Sequence, residues 1–222
     1  ISINKIIKMA KEKTKVDSAF DKVEFLYSKG AIVNLQKHPR YAEKSLTGRP
    51  SIDWVTDGGI PKGRLVLFAG EPSAGKSSLT IQIAEGLGDK ILYADTEATL
   101  TTDYLESLGA DPAKFDHFIP ETTELMCDVI RQQIPNYDVI IVDSINNSAS
   151  GEQLQKTAGE KTMANRANVL SSQLPILIGL ANQYNTTLII LSQVRDNMDK
   201  ANKYSPDTVV PGGRSLHHNS SL

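Results

Sequence analysis

A glycine-rich junction separates the apolar run "RLVLFA" from the helical pattern "LTIQIAEGL", and it limits the folds open to this chain. The residues between them, "GEPSAGKSS", carry the spacing Gly70-x-x-x-x-Gly75-Lys76-Ser77 of a phosphate-binding loop. Glycine lets the backbone turn tightly and approach a ligand, and the first N–H groups of the following helix have no partner within it. A phosphate group suits these donors and the positive helix end. A glycine-rich turn without a ligand is the alternative, but the flanking strand and helix favour phosphate binding.

The residues around the second glycine predict which ligand this loop binds. Lys76 is expected to reach the β- and γ-phosphates of a nucleotide, and the Ser77 hydroxyl is expected to bind Mg²⁺. A tight turn by itself requires neither side chain. We therefore assign the whole loop to nucleotide binding, namely Gly70, Glu71, Pro72, Ser73, Ala74, Gly75, Lys76, Ser77 and Ser78.

Strand and helix patterns alternate along most of the chain. Apolar segments that predict buried strands lie at 64–70, 90–96, 138–144 and 186–193. Helical patterns lie at 76–87, 101–108, 122–134 and about 161–184. Pro175 marks a point where the last of these helices can be interrupted. This order is typical of an α/β domain with a mostly parallel central sheet flanked by helices.

Two groups of apolar residues are predicted to lie in the core. The helix at 122–134 contributes Leu125, Cys127, Val129, Ile130 and Ile134. Before the first strand of the sheet, Trp54 is expected to pack inward together with Ile52 and Val55.

Polar residues stand at the ends of the four predicted strands, where a parallel sheet binds its ligands. Asp143 ends "VIIVD", a pattern typical of a carboxylate that holds Mg²⁺ directly or through water. Glu97 is the best candidate for the group that activates an attacking water. Asp95 is its rival but lies inside the strand, and Glu97 can instead be a helix-capping acid. Gln193 can contact the γ-phosphate and report nucleotide state, or can be an ordinary strand-end amide.

Composition places the chain among soluble globular proteins. Apolar residues make up 40% and charged residues 23% of its 222 positions, and no apolar run reaches the roughly 20 residues that a membrane span needs. The start, "ISINKIIKMAKEKTK", has too short an apolar core for a signal peptide. The single cysteine, Cys127, favours a reducing compartment. We therefore predict a cytoplasmic protein without a membrane partner.

The first part of the chain differs in charge from the rest. Residues 1–45 carry nine Lys and one Arg against five acidic residues, although the whole chain has a formal charge of −2. A short amphipathic helix, a helix over 17–27 and a strand at 29–35 are predicted here. We predict two units, an N-terminal arm at 1–45 and a main domain at 46–222. The basic arm indicates nucleic acid or a partner surface, or is simply a solvated helix face.

Two long segments without apolar periodicity follow the strands that end at Asp143 and Gln193. They are "INNSASGEQLQKTAGEKT" and "VRDNMDKANKYSPDTVVPGGRSL". Loops of this length in compact domains are usually functional or disordered. Both carry Lys or Arg among Gly, Asn and Ser, which suits contact with a nucleic-acid backbone.

Taken in order, these motifs resemble the RecA family of ATP-dependent DNA strand-exchange proteins, over nearly the whole chain. "VEFLYSKGAIVNL" looks like the helix and strand by which one protomer of that family docks on its neighbour. "SLTGRPSIDWVTDGGIPKGRLVLFAGEPSAGKSSL" is similar to the segment that leads into the family's phosphate-binding loop. "YADTEATLTTDYLESLGADPAKF" matches the segment with the catalytic glutamate. "LSQVR" and "VVPGGRSL" match the sensing glutamine and the close of the second DNA-binding loop.

The resemblance implies a P-loop NTPase of RecA type with an oligomerisation arm, and ATP and Mg²⁺ as cofactors. It assigns Glu97, Lys76 and Gln193 to catalysis, Ser77 and Asp143 to the metal, and Tyr104 to stacking on adenine. The DNA-binding loops fall at about 146–162 and 195–213. The implied DNA contacts are Arg166, Arg195, Gly212, Gly213 and Arg214. Thr101 departs from the pattern, because bacterial members usually have an acid there, and the first DNA loop looks closer to phage-type recombinases.

The implied function is that of a DNA recombinase. Protomers would form a filament on single-stranded DNA, pair it with homologous duplex DNA and hydrolyse ATP in a DNA-stimulated reaction. A helicase with the same core, which would form a hexameric ring, and a nucleotide-binding regulator without catalysis are the alternatives. The family's core continues with further strands beyond "SLHHNSSL". We therefore expect this chain to be an incomplete version, with a partly unpaired sheet and impaired ATPase activity and assembly.

Overall fold

Five parallel strands form the centre of the fold in the computed structural model, which describes residues 43–146, 163–196, 208–210 and 214–222. The strands are β1 (Lys44–Ser45), β2 (Ile60–Pro61), β3 (Leu65–Gly70), β4 (Ile91–Asp95), β5 (Phe115–Phe118), β6 (Val139–Asp143), β7 (Thr187–Gln193), β8 (Arg195–Asp196) and β9 (Thr208–Val209). The helices are α1 (Pro50–Val55), α2 (Lys76–Leu87), α3 (Thr102–Ser107), α4 (Thr123–Gln133), α5 (Met163–Tyr184) and α6 (Arg214–Asn219), with 3₁₀ turns at Pro112–Lys114 and Ile134–Asn136. All described residues belong to a unit that spans Ala42–Leu222.

The order of the strands in the sheet is β3, β7, β6, β4 and β5. Neighbours in this order pair in parallel, with Asp95 opposite Asp143 and Gly70 opposite Gln193. Parallel strands direct their carboxyl ends to the same edge of the sheet. The segments that follow β3, β4, β6 and β7 therefore meet at that edge, as the polar strand ends of the sequence predicted.

Alternate side chains of the strands pack into two separate cores. Ile140 and Val142 of β6 belong to the core that includes residues of α4, α5 and α6, whereas Val139 and Ile141 belong to the core that includes residues of α2 and α3. Burial of each such side chain contributes about 1.5–3 kcal/mol. Because both faces of the sheet are covered, its strands are apolar at nearly every position. The predicted α/β sheet flanked by helices is thereby confirmed.

One strand of the sheet, β5, was missed by the sequence analysis. It has only four residues and lies at one end of the strand order. Asp116 and His117 in its middle are exposed, so the segment "FDHF" lacks the continuous apolar run that marks a strand buried on both faces.

The expectation that Trp54 and Val55 pack in the core is wrong. Trp54 is 86% exposed and Val55 80% exposed, although Ile52 does pack against the α2 side of the sheet. All three residues lie in the six-residue helix α1. A helix repeats every 3.6 residues, so residues two apart point in nearly opposite directions. The inward position of Ile52 therefore turns Trp54 to the outside.

In α4 the buried stripe is shifted by one residue from part of the prediction. Cys127, Ile130 and Ile134 are buried as predicted, and Val129 is half-buried. Leu125 is 41% exposed, and Met126 occupies the core in its place. Thr122 caps the helix by accepting a hydrogen bond from the Leu125 backbone N–H, which fixes the helix start and hence this face.

Pro175 does not interrupt helix α5. The helix runs without a break through this residue, which lies on its exposed side. The described ends of the second long loop pair with each other as the antiparallel strands β8 and β9. Next to β3, the Ser221 N–H donates to the Leu65 carbonyl at 2.8 Å and the Leu67 N–H donates to the Leu222 carbonyl at 3.0 Å.

Several predictions concern residues that the structure does not describe. The arm helix at 17–27, the arm strand at 29–35 and most of both long loops lie outside the described residues. Within the described part, none of the helices combines the length and the apolar character that crossing a membrane requires.

Candidate active site

Gly75 sets the conformation of the phosphate-binding loop between β3 and α2. It is the N-cap residue of α2 and has a φ of +81°, in the left-handed region that favours glycine. It carries no side chain that could cap the helix. The first N–H groups of α2 therefore remain suited to a phosphate ligand.

The Lys76 ammonium lies over the same loop. Its Nζ atom donates hydrogen bonds to the carbonyl oxygens of Gly70 at 3.1 Å and Glu71 at 2.7 Å. The two carbonyls hold the Lys76 ammonium beside the N-terminus of α2. A bound phosphate can replace the carbonyls as the acceptor of its hydrogen bonds.

The predicted metal pair, Ser77 and Asp143, is in direct contact. Ser77 Oγ donates to Asp143 Oδ2, and the Tyr93 hydroxyl donates to the same oxygen at 2.6 Å. Burial, followed by the charge of Asp143, raises the pKa of Tyr93 far above its usual range, so the phenol keeps its proton. Hydroxyl and carboxylate oxygens are the ligands that Mg²⁺ prefers. This donor set therefore fits a magnesium ion held by Ser77 and Asp143.

Glu97 lies where β4, β6 and β7 end. Its Oε1 atom accepts hydrogen bonds from Ser144 Oγ and from Gln193 Nε2, each at 3.2 Å. Helix α3, which follows, is capped by Thr101 and not by Glu97. Glu97 is exposed and lines the cavity described below, so its carboxylate is accessible to a water molecule or a ligand.

Asp95, the rival of Glu97, is bound in the interior instead. Its carboxylate is fully buried and accepts the backbone N–H groups of Glu97, Thr99 and Leu100 at 2.8–3.1 Å. His117 Nε2 lies 3.1 Å from the same carboxylate. Asp95 therefore shapes the loop that carries Glu97, and its burial keeps it from acting on a water in the cavity.

Tyr104, which the family resemblance assigns to adenine, lies beside the phosphate-binding loop. Its hydroxyl is 2.7 Å from Ser78 Oγ, and its backbone N–H donates a hydrogen bond to the side chain of Thr101. The tyrosine ring is therefore held next to the first turn of α2. Stacking on a base stays a prediction.

These residues surround a cavity of about 310 Å³, a size typical of small-molecule sites. Its lining comprises Pro72, Ser73, Gly75, Lys76, Ser77, Ser78, Glu97, Tyr104, Asp143, Ser144 and Gln193. Gly70, Glu71 and Ala74 belong to the loop but do not line the cavity. The structure thus brings the predicted catalytic residues, the metal pair and most of the predicted nucleotide-binding residues together in one place.

The residues predicted to contact DNA are described only in part. Arg195 is exposed and opens β8, two residues after Gln193. Arg166 lies in α5 and Arg214 opens α6, but their side chains are outside the described part of the chain. Gly212 and Gly213 are outside it altogether. The DNA contacts of all five residues stay predictions.

Sequence reasoning missed Ser144, Thr96 and Tyr93. Ser144 lines the cavity, and its place directly after Asp143 was the available signal. Thr96 ties β4 to β6, because its Oγ1 donates to the Ser144 carbonyl at 2.8 Å and accepts the Ser144 N–H at 3.0 Å. Tyr93 carries no local signal, since the partner of its hydroxyl is 50 residues away in the sequence.

A protein-family model matches nearly the whole chain. This model, described as the RecA N-terminal domain, matches residues 14–222. The chain belongs to the RecA family. Among RecA proteins, that of Aquifex aeolicus (strain VF5) is 28% identical over 221 residues, which cover 96% of this chain and 64% of the relative. That of Aquifex pyrophilus is 29% identical over 214 residues, covering 93% and 61%.

A solved structure agrees with this assignment. The crystal structure of the RadB recombinase matches with a TM-score of 0.57 and 26% sequence identity, covering 78% of this chain and 79% of that one. The predicted RecA-type α/β fold and the family resemblance are thus confirmed. The chain spans less than two thirds of the length of the two RecA proteins named above.

Proposed function

We propose that this protein is an ATP-dependent DNA recombinase that assembles on single-stranded DNA and pairs it with homologous duplex DNA. The observation that carries the proposal is the convergence of the phosphate-binding loop, the Ser77–Asp143 pair, Glu97 and Gln193 on one cavity. Membership of the RecA family and the likeness to a structure named as a recombinase support the same function.

The cavity is suited to a nucleoside triphosphate. The N–H groups at the start of α2 and the Lys76 ammonium would bind the phosphates, and Tyr104 would pack against the base. Ser77 and Asp143 would hold Mg²⁺, which neutralises charge on the phosphate oxygens when it is bound. Each of these side chains lines the cavity.

Glu97 is the proposed base for ATP hydrolysis. A carboxylate accepts a hydrogen bond from the attacking water and takes up part of the positive charge that develops on it. Ser144 and Gln193 donate to Glu97 Oε1 at 3.2 Å, and we infer that they orient the carboxylate. The buried Asp95 supports it further by fixing the loop backbone from Glu97 to Leu100.

Gln193 is the proposed link between nucleotide and DNA. It ends β7 two residues before Arg195, the first residue of β8. If the γ-phosphate replaces Glu97 as the partner of Gln193, the end of β7 moves, and β8 moves with it, because only Val194 separates the two strands. Arg195 would then present its guanidinium to the DNA backbone, together with Arg166, Arg214, Gly212 and Gly213.

An ATPase assay with and without single-stranded DNA tests this function. We expect single-stranded DNA to increase the rate of phosphate release, and electron microscopy of the DNA complex to show filaments. Nucleotide binding without DNA-stimulated turnover would contradict the enzymatic part of the proposal. Closed hexameric rings on DNA would indicate the helicase-type function instead.

A further inference from the structure

We propose that Tyr93 is a positioning residue for the metal pair: its hydroxyl fixes the Asp143 carboxylate, so that Asp143 and Ser77 are arranged for a divalent cation before the nucleotide binds. The inference rests on the proposed function of the cavity as a site for a nucleotide and Mg²⁺. It concerns a residue that the phosphate-binding motif does not contain.

The register of the sheet brings Tyr93 to Asp143. In the parallel pair of β4 and β6, Tyr93 lies opposite Ile141 and Asp95 lies opposite Asp143. Side chains two residues apart on a strand share a face. Tyr93 and Asp143 are therefore diagonal neighbours on the face that α2 covers, and a long side chain can reach across such a diagonal. The Tyr93 hydroxyl does so at 2.6 Å.

Two donors converge on a single carboxylate oxygen. Ser77 Oγ and Tyr93 Oη both donate to Asp143 Oδ2. The terminal torsion of an aspartate is broad, so a carboxylate with a single donor can still rotate. A carboxylate has about four lone-pair sites, so two donors leave it able to bind a cation. The Tyr93 hydroxyl therefore sets the orientation of the Asp143 carboxylate and still leaves it lone pairs for a cation.

Tyr93 is better suited than Ser77 to set this orientation. It is 1% exposed and packs in the core beneath α2 with Ile81 and Ile141. Close packing holds a buried ring in one rotamer. Ser77 is half-buried at the cavity and would turn its oxygen to the cation. Of the two donors, the phenol is the one that would keep its bond to Asp143 without also serving the cation.

The test is Tyr93→Phe, which keeps the ring and removes the hydroxyl. The binding of a fluorescent ATP analogue is titrated at increasing Mg²⁺ concentration and in EDTA. We expect the Mg²⁺ concentration for half-maximal binding to rise about tenfold, while binding in EDTA is unchanged. Tyr137→Phe is the matched control, because its hydroxyl also donates to a carboxylate, Asp116, at 2.8 Å but outside the cavity. We expect it to leave both measurements unchanged.

A double-mutant cycle separates positioning from a general structural effect. If Tyr93 acts through Asp143, Tyr93→Phe has no further effect on the Mg²⁺ requirement of Asp143→Asn. An equal effect in both backgrounds, or an unchanged requirement in Tyr93→Phe, overturns the proposal. If Tyr93→Phe does not fold, Tyr93→4-aminophenylalanine supplies a weaker donor, and we expect the Mg²⁺ requirement to rise about threefold. An unchanged requirement in that variant overturns the proposal as well.

The same titration distinguishes this proposal from the proposed function. If the unmodified protein binds the analogue equally well with Mg²⁺ and in EDTA, the metal–nucleotide site fails, whatever Tyr93 does. If the unmodified protein requires Mg²⁺ and Tyr93→Phe has the same requirement, only the role of Tyr93 fails.

Discussion

The phosphate-binding loop and the paired ends of β4 and β6 border the same cavity but are built differently. The loop consists of consecutive residues, is exposed from Glu71 to Gly75, and holds its lysine through carbonyls five and six residues away. The strand ends are mostly buried. The Tyr93–Asp143, Thr96–Ser144 and Ser144–Glu97 hydrogen bonds join residues 50, 48 and 47 positions apart.

This difference assigns different tasks to the two regions. From Glu71 to Gly75 the loop is exposed and its conformation depends on glycine and on local bonds, so this part can change its ligand contacts at little cost to the fold. The strand ends are held by buried and partly buried hydrogen bonds, and a buried polar group left without a partner costs about 1–3 kcal/mol. Removal of the Lys76 side chain should therefore reduce ligand binding alone, whereas substitutions at the strand ends should reduce stability or catalysis.

The largest effect is expected from Glu97→Gln. The amide cannot take up the proton of an attacking water, so ATP turnover should fall about 10²–10⁴-fold, while affinity for an ATP analogue stays the same. Steady-state phosphate release and equilibrium binding measure the two quantities. Glu106→Gln, on the exposed side of α3, is the matched control. Unchanged turnover in Glu97→Gln would remove this residue from its proposed role.

Asp95→Asn tests the contribution of buried hydrogen bonds at the strand ends. An amide has one acceptor oxygen for the three N–H groups that the Asp95 carboxylate accepts. The free energy of unfolding should fall by about 3 kcal/mol, as measured by urea denaturation. In the control Asp111→Asn, a side chain that accepts the Ala113 N–H on the surface, the loss should stay below about 1 kcal/mol. Equal losses in both variants would contradict the role of burial.

Lys76→Ala tests the opposite behaviour in the loop. Loss of the ammonium should weaken binding of an ATP analogue by about tenfold or more. Because Lys76 is bonded only to nearby carbonyls in the described structure, the free energy of unfolding should change by less than about 0.5 kcal/mol. Lys90→Ala, an exposed lysine after α2, should alter neither quantity. A clear loss of stability in Lys76→Ala would break the distinction between the two regions.

The smallest effect is expected at Trp54. Because its side chain is 86% exposed, Trp54→Ser should change the free energy of unfolding by less than about 0.5 kcal/mol. Met126→Ala, in the core against α5, should cost about 2–5 kcal/mol. The pair compares a tryptophan that the sequence placed in the core with a methionine that it left out. A loss above 2 kcal/mol in Trp54→Ser would contradict the structure.

The same contrast explains which predictions succeeded. Local patterns were sufficient for the position of the loop between β3 and α2, the four main strands and the approximate helix positions. They failed for β5, because its two middle residues are polar and the segment lacks a continuous apolar run. They also failed for Trp54, whose direction depends on which side of α1 faces the sheet. They also gave no indication that Tyr93 bonds to Asp143, because that contact depends on the register of two strands.

Local sequence was sufficient to identify the residues of the loop and the carboxylates and the amide at the strand ends, because these depend on neighbouring residues and on continuous apolar runs. The sequence also favoured Glu97 over Asp95 as the catalytic carboxylate, because Asp95 lies inside the predicted strand. The folded chain was needed for the contacts around each carboxylate: Asp95 is buried against the backbone N–H groups of its own loop, whereas Glu97 accepts hydrogen bonds from Ser144 and Gln193 at the edge of the sheet. Burial and pairing arise from distant parts of the chain, and no local pattern records them.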